Sequence, residues 1–364
     1  ITTNDIAPIA GTVTIPDATT INTGGNIFGS AATNFTMANG RFISSGTGTK
    51  PDMNGTYRLT GGVVEFGCSQ TTAQKIQSSK SYFNINVTGN NVGKGTGDII
   101  IKDGGSFTVK SNGIFTVNED GIIGPVGSQS VVVESDATFK CGNAYGFNGG
   151  SNTSIKSDIE TINLNAGSTL EYVRKSDNGN QIVTSGITYQ HVIMSGLGIK
   201  NLTTGTFALS STGSLDIKAP VAFDAADGTV IDFNNRPVQI RSTVAGSASL
   251  GDLTGVTVQN ATDFSVERFI PDRRAWRLIT APLHKTGLTT ISLAWQNGQQ
   301  STDRFNPVIG SNSIGTSITN GIIAANGYDA GSTANASIKY FNSGNWVAPS
   351  ATTIPITTDR KRVG

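Results

Sequence analysis

The chain is 364 residues long, with 45 glycines, 36% hydrophobic and 14% charged residues, and a formal net charge of +1. With no Lys or Arg run outside one later cluster, that balance argues against a polyanion-binding protein and predicts no nucleic-acid partner. No apolar stretch reaches bilayer length, β-branched and aromatic residues recur too often for disorder, and helical spacing is missing; the expectation is all-β, with no membrane insertion.

From residue 1 to about 60, the strand signals GTVTI, NIFGS and RFISS alternate with Gly, Asn and Pro, which predicts the opening rungs of a solenoid. A first unit follows over about 61–139. In it, GSFTVKSNGIFTV (Gly105 to Val117) sets Phe107, Val109, Phe115 and Val117 at alternate positions, so these side chains face one interior. Gly105, Gly113 and Gly121 stand eight apart, which fits a short strand and a tight turn, the glycines supplying the turn backbone. The Gly/Asn-rich stretch Cys141 to Ser154 reads as a loop.

A second unit, about 159–233, repeats the first. GTFALSSTGSLDI (Gly205 to Ile217) matches 105–117 and sets Phe107 on Phe207. VVEF (Val63 to Phe66) pairs with TLEY (Thr169 to Tyr172), and Tyr82, Ile85 and Val87 fall on Tyr189, Val192 and Met194. Repetition of strands and turns implies stacked coils. Three strand–turn steps per coil give roughly ten coils over residues 1–262, a β-solenoid (β-helix) about 50 Å long at ~4.8 Å per coil.

The character changes at residue 263. Arg268, Arg273, Arg274 and Arg277 crowd around Phe269 and Trp276, and the glycine spacing disappears. Further strand signals, ISLAW (Ile291 to Trp295) and SIKYFNSGNWV (Ser337 to Val347), predict a second β-rich, sandwich-like domain over 263–364, with a hairpin turning at Ser343-Gly344. The chain stops after DRKRV with no closing strand pattern, so this domain is read as incomplete.

The segment VERFIPDRRAWRLITAPL, followed by AWQNG, NGYDA and SIKYFNSGNWV, resembles a module of large secreted surface proteins of Bacteroidota. The preceding stretch from Gly179 to Ile217 is similar to the β-solenoid repeats that accompany that module. The resemblance implies an extracellular or cell-surface location. It also implies export by the type IX secretion system through a further C-terminal region, which does not appear in these residues. It implies location far better than activity.

Chemistry is thinly supplied. Asp98, Asp103, Glu119 and Asp120 in the first unit, and Asp224, Asp227 and Asp232 in the second, lie beside turns, where Asp side chains cap backbone N–H groups. A polysaccharide lyase would need such carboxylates gathered around Ca²⁺ with a basic residue beside them; no other cofactor is indicated. His191 and His284 stand alone in sequence, His191 facing outward. Arg268, Arg273, Arg274, Trp276 and Arg277 form a possible interaction surface, weighed against arginine stems simply covering aromatic faces. Tyr82, Tyr189, Trp295 and Trp346 can stack on sugars, although strand aromatics are more often packed inside. Cys68 and Cys141 either bridge neighbouring coils or fill the core as thiols.

The expected function is that of a non-enzymatic structural or adhesive surface protein, a stalk able to assemble into fibres or matrix with copies of itself, other surface proteins or glycans. The alternative is a glycan-binding or lyase-like β-helix.

Overall fold

The computed structural model describes residues 2–3, 11–23, 33–118, 120–124, 127–269, 290–291, 318–321, 326–329 and 335–352. The chain divides into two compact units, Ile1–Phe269 and Ile270–Gly364. The first is a parallel β-solenoid of about 11 coils. Its last strand, Phe264–Val266, pairs with Val238–Ile240 and so extends the stack past the boundary read at 262.

One coil shows the plan. Tyr57–Leu59, Val63–Phe66 and Gln74–Ile76 follow one another and join three different parallel sheets, one on each face. A nine-stranded sheet begins at Thr2–Thr3 and ends at Thr161–Leu164, and a twelve-stranded sheet begins at Gly48–Lys50. Alternation decides which side chains go in. Phe107, Val109, Phe115 and Val117 are fully buried, as their spacing predicts.

Register then stacks like on like. Val64, Ile85, Phe107 and Val131 lie one above another, and Phe115, Phe139, Leu170 and Val192 form a second column. Aromatic rings interlock along the interior: Phe107 with Phe115 at 4.6 Å, Phe115 with Phe139 at 5.6 Å, and Phe139 with Phe147 at 5.1 Å between centroids. Each such pair contributes about 0.5–1.5 kcal/mol beyond its buried area. Phe147 comes from the predicted loop 141–154, so that loop folds back and seals the core.

Two readings of the repeat need correction. Strand pairing sets Phe107 beside Ile85 and Leu215 beside Val192, so the counterpart of Phe107 is Leu215 and not Phe207. The 105–117 match to 205–217 is therefore slipped by eight residues, one strand–turn step, whereas the matches of 63–66 to 169–172 and of Tyr82 to Tyr189 fit the pairing. The spaced glycines also act differently. At Gly105 and Gly113 the backbone is not left-handed; positive φ falls on Gly104 (72°) and Asn112 (62°) beside them. A Cβ on Gly105 would lie 2.2 Å from the Phe83 carbonyl oxygen, and one on Gly113 2.4 Å from that of Val87. These glycines exist because the coil below comes too close for any side chain.

Cys68 and Cys141 are free thiols, each fully buried, which overturns the bridge between coils. In the second unit, Tyr340–Asn342 and Asn345–Val347 form the expected antiparallel hairpin, with φ of 49° at Ser343 and 86° at Gly344. Ile291, Ile318, Tyr328 and Ile338 make a small core of their own.

Candidate functional site

The predicted interaction surface is only partly described. Arg268 and Phe269 are exposed, Arg268 donating to the Glu267 carbonyl at 3.0 Å and the Phe269 N–H to Ser242 Oγ at 2.8 Å. Arg273, Arg274, Trp276 and Arg277 lie outside the described residues, as do Glu119, His284 and Trp295. Tyr82 and Tyr189 are fully buried and so present no sugar platform. Trp346 is exposed, edge-on to Phe341 across the hairpin at 5.5 Å.

Of the turn carboxylates, Asp98, Asp103, Asp120, Asp224 and Asp232 are engaged as caps or ion pairs. Asp98 takes the Gly121 N–H at 2.7 Å and Lys156 at 2.7 Å. Asp120 takes the Gly97 N–H at 2.9 Å and Lys94 at 3.4 Å, and that N–H first, then Lys94, holds its carboxyl below the usual range. Asp232 takes the Asn234 N–H at 2.8 Å. Asp103, held low by the Ser128 N–H, borders an open cleft of about 620 Å³ with Asp158 and Glu160. No group of three or more His, Cys, Asp or Glu residues able to hold a metal ion occurs among the described residues.

His191 faces outward as expected and meets Ser214 across adjacent rungs, Nδ1 to Oγ at 2.9 Å. Such a contact has the spacing of a base and nucleophile. Its neighbours in the outward column are Thr169 and Thr138, so no carboxylate stands behind the imidazole in that column. The His191 N–H is itself committed to the Ser168 carbonyl at 3.0 Å. The pair reads as part of a polar ladder.

The chemistry that sequence reading missed lies inside. Lys200 is fully buried, and its Nζ donates to the carbonyls of Gly179, Leu197 and Arg174 at 2.9, 3.0 and 3.2 Å. Burial pushes this amine down to about 8, against which three carbonyl dipoles favour the ammonium. Gln181 donates to the carbonyls of Cys141 and Asn143 at 2.8 and 2.9 Å. Burial raises the Cys141 thiol to about 11, so it is inert as a nucleophile. Tyr172 and Tyr189 share a hydroxyl contact of 2.7 Å, closing a polar plug with no route to solvent for a substrate. The sequence signal for it is slight: Gln74 stands two residues before Ile76 and Gln181 directly before Ile182.

On the exterior, charge is consumed between neighbouring coils: Arg41 with Glu65 at 2.5 Å, Lys110 with Glu134 at 2.7 Å, Lys140 with Glu171 at 3.2 Å, and Arg241 with both Asp216 and Glu267 at 3.0 and 2.6 Å. No helix among the described residues is long and apolar enough to cross a membrane. Comparison of the chain with protein-family models, with curated proteins and with solved structures gave no match.

Proposed function

We propose that this chain is a non-enzymatic structural or adhesive protein of the cell exterior, its solenoid serving as a stalk that carries a second, sandwich-like β module. The observation that carries this reading is the pairing of charge from coil to coil around a sealed interior, which makes a stiff body with little net field. A weakly charged surface permits close lateral packing, so self-association into fibres or matrix is the favoured mode, with other surface proteins or glycans as further partners. Export through the type IX route rests on the resemblance of the arginine-rich segment alone. Negative-stain imaging over a concentration series tests the proposal: elongated or laterally associated particles are expected, and compact monodisperse particles at every concentration would overturn assembly.

One observation favours the alternative, glycan-binding or lyase-like reading: the cleft that gathers Asp103, Asp158 and Glu160. Its nearby lysines are occupied, Lys102 on the Leu59 carbonyl and Lys156 on Asp98, which leaves the cleft short of a base. Polysaccharides assayed with and without Ca²⁺ separate the two readings; Ca²⁺-dependent release of unsaturated product would displace the structural one.

A further inference from the structure

The nine-stranded sheet stops at Thr161–Leu164, while coils continue beyond it on other faces. On one side this strand is fully laddered. It pairs with Ser130–Val133, and the N–H groups of Thr161 and Asn165 donate to the Gln129 and Val133 carbonyls at 3.1 and 2.9 Å. Alternate residues of a parallel strand serve alternate neighbours. The peptide groups of Ile162 and Leu164 therefore point the other way, where no strand is paired among the described residues.

The chain passing above, 186–190, ladders upward instead: the Gly186 N–H donates to the Thr206 carbonyl at 2.9 Å, and Thr188 and Tyr189 pair with Ala208 and Leu209. A groove of about 400 Å³ is left between the two edges. Ile162, Leu164 and Ile187 form its apolar floor, and Asn163, Asn165 and Gln190 line its sides. The opening shows in burial: Ile162 and Leu164 are half-buried, while Val131 and Val133 directly beneath are fully buried.

We propose that this groove docks an extended, uncharged peptide strand, which adds to the open edge of Thr161–Leu164. A peptide supplies N–H and C=O groups at the spacing this edge requires, and a four-residue strand offers about 13 Å of ladder. The lining carries no ionisable side chain, so it complements a neutral occupant and leaves a charged one desolvated without a partner. Ile162 and Leu164, two residues apart, receive alternate apolar side chains. No aromatic ring lines the groove to stack on a sugar. The proposal is independent of whether the stalk assembles.

Residue-resolved hydrogen exchange on the full chain tests it, with a pool of neutral pentapeptides alternating Thr with Val or Ile as the probe. In the free protein the Ile162 and Leu164 amides exchange quickly and the Asn163 amide slowly; the peptide slows Ile162 and Leu164 at least about tenfold and leaves Asn163 unchanged. Asn163→Lys, at the exposed rim, removes that protection without shifting the melting temperature, and Gln190→Lys on the opposite wall repeats the test should the first variant fold poorly. Amides already protected in the free protein overturn the proposal. So does protection by a neutral oligosaccharide in place of the peptide, or no protection at millimolar peptide.

Discussion

The segments 63–133 and 169–240 are the same structure built twice, and what differs between them is more instructive than what is shared. In both, a tyrosine hydroxyl donates to a carbonyl five residues earlier, Tyr82 to Gln77 at 2.9 Å and Tyr189 to Thr184 at 2.5 Å. In both, a buried glutamine spans two coils: Gln74 donates to the Ser44 carbonyl and Gln181 to that of Cys141. The strand paired to each glutamine differs, with Val92 opposite Gln74 and Lys200 opposite Gln181. The same inward position thus holds a methyl pair in one half and a cation in the other. Local acceptors decide this: Lys200 meets three carbonyls, whereas in the first half Asn91 already satisfies the loop carbonyls of Gln70 and Thr71.

The comparison breaks most severely if the two residues are exchanged. Val92→Lys buries an ammonium without that carbonyl set and should cost about 3–5 kcal/mol in urea unfolding. Lys200→Val removes the donor from the Gly179 and Leu197 carbonyls, while that of Arg174 keeps the Leu197 N–H at 3.1 Å, and should cost about 1–3 kcal/mol; a tolerated Val92→Lys would show that local acceptors are not what separates the halves. Next in size are Gly105→Ala and its counterpart Gly213→Ala, whose added methyl meets the Phe83 and Gln190 carbonyl oxygens at 2.2 and 2.4 Å. Each should lose about 1–3 kcal/mol, and by similar amounts if the halves are equivalent.

The pH profile sharpens the contrast further. Lys200 titrates near 8 when folded and at its ordinary 10.5 when unfolded, so across that window the unfolded chain holds a proton the folded chain has released, and stability rises with pH. Burial raises Tyr57, Tyr82, Tyr172 and Tyr189 above their ordinary 10, so beyond that pH the unfolded chain loses protons the folded one keeps and stability falls. The Cys141 thiol, raised from 9 to about 11, opposes the lysine above 9, so melting temperature should climb from about 8 and peak between about 9 and 10, and Lys200→Val should flatten the rising limb. The smallest effect belongs to the outer pairs: a double-mutant cycle on Lys110 and Glu134, both partly exposed, should return no more than about 1 kcal/mol, weakening with salt.

The architecture was legible because inward alternation is local: Phe107, Val109, Phe115 and Val117 announce their face with no knowledge of neighbours. The hairpin at Ser343-Gly344 was equally plain, since φ above zero at both turn residues constrains the choice of residue. Register was not legible in the longest match. A unit that repeats internally every eight residues aligns with its copy almost as well one step out of place, and only strand pairing across some twenty residues distinguishes the two. Nor could the interior Lys200 be foreseen, because its acceptors come from separate turns at Arg174, Gly179 and Leu197. The open edge at Thr161–Leu164 was hidden for the same reason: a missing neighbour leaves no mark in the strand that lacks it.

One consequence follows from where the second half sits. Val63–Phe66 belongs to the nine-stranded sheet, while its counterpart Thr169–Tyr172 lies four rungs higher and one face further round, in the twelve-stranded sheet. The duplicated block is four and a third turns long. Further copies joined in the same way would each swing by a third of the circumference, returning to the starting face after about 13 turns, or ~62 Å of rise. Any outward side chain would then trace a spiral staircase around the column, offering the same contact to neighbours on every side.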